Sequence, residues 1–196
     1  MKKFLSLLLV TFVCLTSVAM AAENPVKIAR LPIIVQQNKL DNETAISLEV
    51  KLARAVNIPL NKTLKIAEYV PPKKSAAELN KIWQKMYKND TATISDAVKT
   101  LAEKLNADIV VCPILREYSQ NVTHSGLYFE SHLSSFVSAE MIIYDRRTDS
   151  LTRKKVSRSF NDAYNKYGTA ARLAANCFDQ LIKDTELRKI IHNIRN

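Results

Sequence analysis

The chain reads as one α/β domain, a mixed five-stranded sheet flanked by helices in the order β-α-β-α-α-β-β-β-α. Three observations predict this. Short apolar runs rich in β-branched residues alternate with segments whose apolar residues recur at helical spacing. The run DIVVCPILREY (Asp108 to Tyr118) follows directly on an amphipathic segment, as a buried central strand follows its crossover helix. Two late runs, Leu133 to Tyr144 and Leu151 to Phe160, flank a polar turn, Asp145 to Ser150, and read as a hairpin.

Each element has a local reason. Lys27 to Val35 (KIARLPIIV) is largely apolar and predicts a first, central strand. Asp41 or Asn42 can cap a helix running to about Asn57, with Ile46, Val50, Ala53 and Val56 forming its inward stripe. Thr63 to Val70 predicts a second strand, closed by Pro71-Pro72. Ser75 and Glu78 form a capping-box pattern ahead of Leu79, Ile82, Trp83 and Met86. A further helix spans about Ile94 to Asn106 and feeds the middle strand. The first and middle strands are expected side by side and parallel, with the hairpin antiparallel beyond them. A closing helix from about Asn165 to Lys183 turns Ala170, Ala174, Cys177, Phe178 and Leu181 inward, and Thr185 caps a short last helix ending at Ile194.

Residues 1–22 carry an export pattern. Lys2 and Lys3 give a positive start, Phe4 to Val18 an unbroken run of apolar and small residues, and Ala19-Met20-Ala21 a small-x-small cleavage site. Such a run spans about 22 Å as a helix, short of the roughly 30 Å hydrocarbon core, so the segment reads as a cleaved signal peptide rather than a membrane anchor. Residues 23–196 then form a single domain, periplasmic or secreted, with no transmembrane segment left after cleavage. Losing Lys2 and Lys3 lowers the net charge from +10 to +8. Cys14 leaves with the signal, and Thr11-Phe12-Val13 before it lack the pattern of a lipid-attachment cysteine. Cys112 and Cys177 remain, and we expect two buried thiols rather than a bridge. The chain has only 2 glycines, Gly126 and Gly168. That scarcity excludes a phosphate-binding loop, a dinucleotide fingerprint and a nucleophile elbow, each of which needs several glycines at fixed spacing, and no cofactor is expected.

The order ARLPIIV, AVKTLAEKLNADIVVCPIL, SAEMIIYDRRTDSL, AARLAANCFDQLIKD resembles the exported α/β domain of the TolB amino-terminal and curli-secretion (CsgG-like) group. The likeness rests on the helix-to-strand turn Leu105-Asn106-Ala107-Asp108 and on the hairpin turn after Tyr144-Asp145. This chain has Cys112-Pro113 where those domains usually have a glycine, and no propeller comes after it. The resemblance implies a nucleotide-fold-like domain that binds no nucleotide and serves as an envelope interaction or assembly module.

Candidate sites are few. His124, Glu130 and His132 lie close in sequence (HSGLYFESH) and read as a polar loop; no metal is expected. His192 reads as an exposed residue of the basic tail. No nucleophile–base set stands out. Gln36, Gln37 and Asn38 end the first strand and Arg116, Glu117 and Tyr118 the middle one, so these six could line one crevice at the strand carboxyl ends, or mark strands reaching water. The hairpin concentrates Arg146, Arg147, Arg153, Lys154, Lys155 and Arg158 against one acid, Asp149. Such charge either discourages unwanted edge pairing or binds an anionic surface. Without interleaved aromatics, no nucleic-acid partner is expected. The leading expectation is a non-catalytic extracytoplasmic interaction module whose partner is another envelope protein or an anionic envelope surface. The alternative is a small extracytoplasmic hydrolase using the crevice.

Overall fold

The structure, a computed structural model, describes residues 25–37, 39–86, 93–124 and 131–193, without the side chain of His192. The expected signal peptide, Asn38, Gly126, Glu130 and Ile194 lie outside the described residues. In chain order the elements are β1 (Val26–Arg30), β2 (Ile34–Val35), α1 (Asn42–Val56), α2 (Asn61–Leu64), β3 (Ala67–Val70), α3 (Pro72–Met86), α4 (Ile94–Leu105), β4 (Ile109–His124), β5 (Ser131–Asp145), β6 (Ser150–Ala163), α5 (Ala170–Asp184) and α6 (Leu187–His192).

The strands form one sheet in the order β3-β1-β4-β5-β6, with β2 also beside β4. β3, β1, β2 and β4 are parallel, while β5 and β6 run antiparallel to their neighbours. The expected neighbours are therefore in place, and β2 makes the sheet six-stranded. The first strand is two strands because Pro32 has no N–H to give the ladder. Pairing resumes on either side of the break, where the Leu31 N–H donates to the Val111 carbonyl and the Gln36 N–H to the Leu115 carbonyl, both at 2.9 Å.

Helices cover both faces. On one side Ile28, Ile109, Val111, Leu115, Val137, Ala139, Met141 and Ile143 pack under α1, α5 and α6. On the other, Ala29, Leu31, Val110, Cys112, Ile114 and Ile142 pack under α3 and α4. The five inward residues expected of the closing helix are all buried there.

Several expectations need correction. α1 buries Thr44, Leu48, Leu52, Ala55 and Val56, leaving Ile46 65% and Val50 42% exposed. The helix is apolar on two sides, and the stripe of Leu48, Leu52 and Ala55 takes the core. Thr63 and Leu64 belong to α2, which ends at Lys65 in the left-handed conformation (φ 49°), so the second strand starts only at Ala67. α3 begins at Pro72, one turn before the expected cap, and Ser75 lies buried within it; proline suits a first helical position, where the N–H is unneeded. The closing helix starts at Ala170, where the Thr169 hydroxyl accepts the Arg172 N–H. Thr185 caps the end of α5, its hydroxyl donating to the Leu181 carbonyl at 2.7 Å; the last helix begins after Glu186. Trp83, on the apolar stripe that follows the capping-box pattern, is 37% exposed, unlike the buried Leu79 and Ile82.

The helix-to-strand turn is a hub. Asn106 takes φ 48° at the end of α4, a conformation asparagine tolerates, and the Ala107 N–H donates to the Ala102 carbonyl at 2.8 Å. Asp108 then accepts the Lys27 N–H at 2.8 Å and the Arg146 guanidinium at 3.0 Å, tying β1 and the hairpin turn to the start of β4.

The buried middle strand gives two testable outcomes. Val110 and Val111 are fully buried on opposite faces, so Val110→Asp or Val111→Asp should cost about 4 kcal/mol or more and unfold the domain, as read by circular dichroism and denaturant titration; an unchanged melt would show the segment is not core. Cys112 and Cys177 sit in different cores, unpaired and buried, and burial pushes their thiols up to about 12 and about 11. Alkylation under denaturing, non-reducing conditions should add two labels to the mature protein, and alkylation of the folded protein none.

Candidate functional site

In the parallel part of the sheet, β1 leads through α1 to β3 on one side, and β3 leads through α3 and α4 to β4 on the other. Ligand crevices in such sheets open where the connections diverge, here between the carboxyl ends of β1 and β4. In this protein β2 occupies that place, with Ile34 opposite Ile114 and Val35 opposite Leu115. The gap is filled by the chain itself.

Just beyond, Arg116 is an extra residue in β4, since Leu115 pairs with Ala139 but Glu117 with Ser138. This bulge inverts the facing of the residues beyond it. Arg116 stays on the α3/α4 side, where its Nε donates to the Glu140 carboxylate and its Nη1 to Gln36 Oε1 at 3.1 Å. Arg153 donates through its own Nε to the second Glu140 oxygen. Three strands are thus clamped by one carboxylate. The Glu140 side chain is 2% exposed, against 29% for Arg116 and 46% for Arg153. Burial pushes the Glu140 carboxyl up, but hydrogen bonds from Arg153 and Arg116 outweigh it and hold it below its ordinary range.

The five crevice candidates among the described residues do not meet in one place. Gln36 and Arg116 do. Gln37 is exposed, and Glu117 faces the Ser138 side of the sheet. Tyr118 packs on the other face, where its hydroxyl donates to Asp41 Oδ2 at 3.1 Å. Asp41 caps α1 there, and the Thr44 N–H on its Oδ1, at 2.8 Å, holds its carboxyl below the usual range.

The basic hairpin divides in two. Arg146 is held by Asp108 and by the Asn106 side chain at 2.8 Å, Arg147 by Asp145 at 2.6 Å, and Arg153 by Glu140. Lys154, Lys155 and Arg158 are exposed on β6 and form no ion pair among the described residues. The charge of the turn is spent inside the fold; the free charge lies along the strand. Alternation places Lys155 on the Glu140 side, and Lys154 and Arg158 on the side of Val156 and Phe160.

Two features escaped sequence reasoning. Glu140 is one, although its signal was visible as the single acid inside the apolar run SAEMIIY. The other is a largely apolar groove of about 370 Å³ between β1–β2 and α3, lined by Leu31, Pro32, Ile34, Leu79 and Trp83, with Gln36 also on its wall. His124 and His132 bond to Ser131 and Asn161 at 2.9 and 2.8 Å, and no group of three metal ligands converges among the described residues.

No family model matches the chain, and no curated protein does. Among solved structures, the chain is similar to lipoprotein GNA1162 from Neisseria meningitidis, at 16% identity over 81% of this chain and 99% of that one, with a TM-score of 0.37. It is similar to hypothetical protein CT253 from Chlamydia trachomatis, at 15% identity over 87% and 98%, with a TM-score of 0.41. The LpoB C-terminal domain from Escherichia coli shares 12% identity over 72% and 83%, with a TM-score of 0.33. Each is distant, and no residue role passes from them to this chain.

The clamp makes a pH prediction. Because the folded state holds the Glu140 carboxyl below its ordinary 4.5, its contribution is fully present above that value and is lost as pH falls through the lower folded value. Glu140→Gln should cost about 1–3 kcal/mol at neutral pH, moderated because both arginines reach water. It should also flatten the acid-side decline in stability as pH falls below about 4.5, measured by urea titration; an equal acid decline in the variant would remove Glu140 from that role.

Proposed function

We propose that this protein is a non-catalytic extracytoplasmic interaction module that takes an acidic, extended segment of another envelope protein along β6. The observation that carries the reading is the combination of an open edge and free charge. β6 ends the sheet with 14 residues, so one row of its backbone N–H and C=O groups faces outward. Such an edge accepts an added strand, and outward backbone groups recognise a peptide as a lipid headgroup cannot. Lys154, Lys155 and Arg158, on both faces of the same strand, favour acidic side chains in that added strand. Export through the amino-terminal segment, and the resemblance of the two turns to the TolB and curli-secretion group, support an envelope setting. No helix among the described residues is long and apolar enough to cross a membrane. The hydrolase reading loses ground because β2 fills the gap and Arg116, Glu117 and Tyr118 diverge.

Replacing Lys154, Lys155 and Arg158 together by Gln should leave the melting temperature within a few degrees. It should weaken capture of the wild-type envelope partner, identified by cross-linking in intact cells, by about tenfold. Wild-type binding should itself fall as salt rises, since exposed charges are screened over about 8–10 Å at physiological ionic strength. Salt-insensitive binding, or binding untouched by the triple substitution, would overturn the reading.

A further inference from the structure

The stripe that the sequence places in the core and the fold leaves outside is Ile46, Val50 and Ala53 of α1. At 100° per residue these three lie within a narrow band with Asn57, opposite Leu48, Leu52 and Ala55. Alongside it runs a groove of about 360 Å³ lined by Ile33, Val35, Leu40 and Ala45 together with Lys39 and Glu49, in which Val35 is itself 39% exposed. A helix apolar on both sides has two things to pack against, and the domain supplies one.

The charges of α1 indicate the other. Of its four, Glu49 is held by Arg30 at 2.5 Å and Lys51 by Asp179 at 2.5 Å. Glu43 in the first turn and Arg54 in the last form no ion pair among the described residues. Helical geometry puts both on the same flank of the apolar band, about 16 Å apart along the axis. A surface with opposite free charges at its two ends and an apolar middle is complementary to itself when turned end for end. We propose that the occupant is a second copy of this chain, with α1 packed antiparallel on α1 of the partner about a two-fold axis. Ile46 then meets Val50 across the axis, and Glu43 pairs with Arg54 twice, once on each side. Antiparallel helices also set opposite ends of their dipoles together. One 15-residue helix offers less than the roughly 800 Å² per partner of a standard interface, even with Val35 and Leu40 at its margin, so the dimer forms in a concentration-dependent way. This does not rest on β6, which lies at the edge of the sheet.

The test is sedimentation of the mature protein, purified as the cell processes it, over a concentration series. Wild type should pass from monomer to dimer. Glu43→Arg and Arg54→Glu should each raise the midpoint concentration about tenfold, since each swap turns two attractions into repulsions. The double swap should restore it, because the reversed pairs are again complementary. Ile46→Lys should hold the protein monomeric with an unchanged melt, since the site is exposed in the monomer. A wild type that stays monomeric throughout, single swaps without effect, or a double swap that fails to restore dimerisation would each overturn the proposal.

Discussion

Seven consecutive buried residues, Ile109 to Leu115, impose the architecture. A strand with no solvent face must have a neighbour on each edge and a helical layer on each side. β1 and β2 supply one edge in parallel, β5 the other in antiparallel, and the alternation of side chains splits the interior into two cores. The separation of Cys112 from Cys177 is a direct consequence. So is the hub at Asp108: a strand that must enter the core at once needs its first turn fixed from outside, and one carboxylate does this by bonding both β1 and Arg146.

Where β4 leaves the core, the bulge at Arg116 decides which side chain goes where. If the same sequence ran through Arg116 in regular alternation, Tyr118 would share a face with Ile114 and Cys112, and its ring would miss α1 and Asp41. With the bulge, Arg116 swings toward Glu140, and the buried carboxylate gains the second cation it needs. A carboxylate this buried would be costly alone, and one guanidinium leaves an oxygen open; two cross-strand guanidiniums close both. The clamp also fixes β6 through Arg153, close to the free cations Lys154 and Lys155. A rigid clamp thus stands beside an open edge, which suits an edge that receives another strand in one register.

The strands, their partners and the closing helix were legible because their signals are local: unbroken apolar runs, period-two alternation, and inward residues such as Ala174, Cys177 and Phe178 at helical spacing. α1 misled because the band Ile46–Val50–Ala53 is as apolar as the band Leu48–Leu52–Ala55. Periodicity counts apolar residues but does not weigh two competing stripes. The basic turn misled in the opposite sense. Arg146 and Arg147 look like surface charge in sequence, but the fold brings Asn106 and Asp108 to Arg146, and the turn folds Arg147 back onto Asp145, two residues before it. Glu140 was hidden for the same reason, since its partners lie 24 residues before it and 13 after it.

The two unfinished surfaces of this domain are related through concentration. Three exposed cations and a row of backbone groups would give weak recognition of the proposed acidic segment, because exposed ion pairs are worth little singly and a flexible segment must be ordered as it binds. A two-fold pairing through α1 presents two β6 edges on one particle. An array of acidic segments in the envelope would then be gripped at two points, and the second contact would form at the high effective concentration set by the first. Weak edges and a weak dimer are each modest alone. If the proposed dimer and the proposed edge contact both formed at an envelope surface, each would raise the occupancy of the other, and neither would need a deep pocket to be specific.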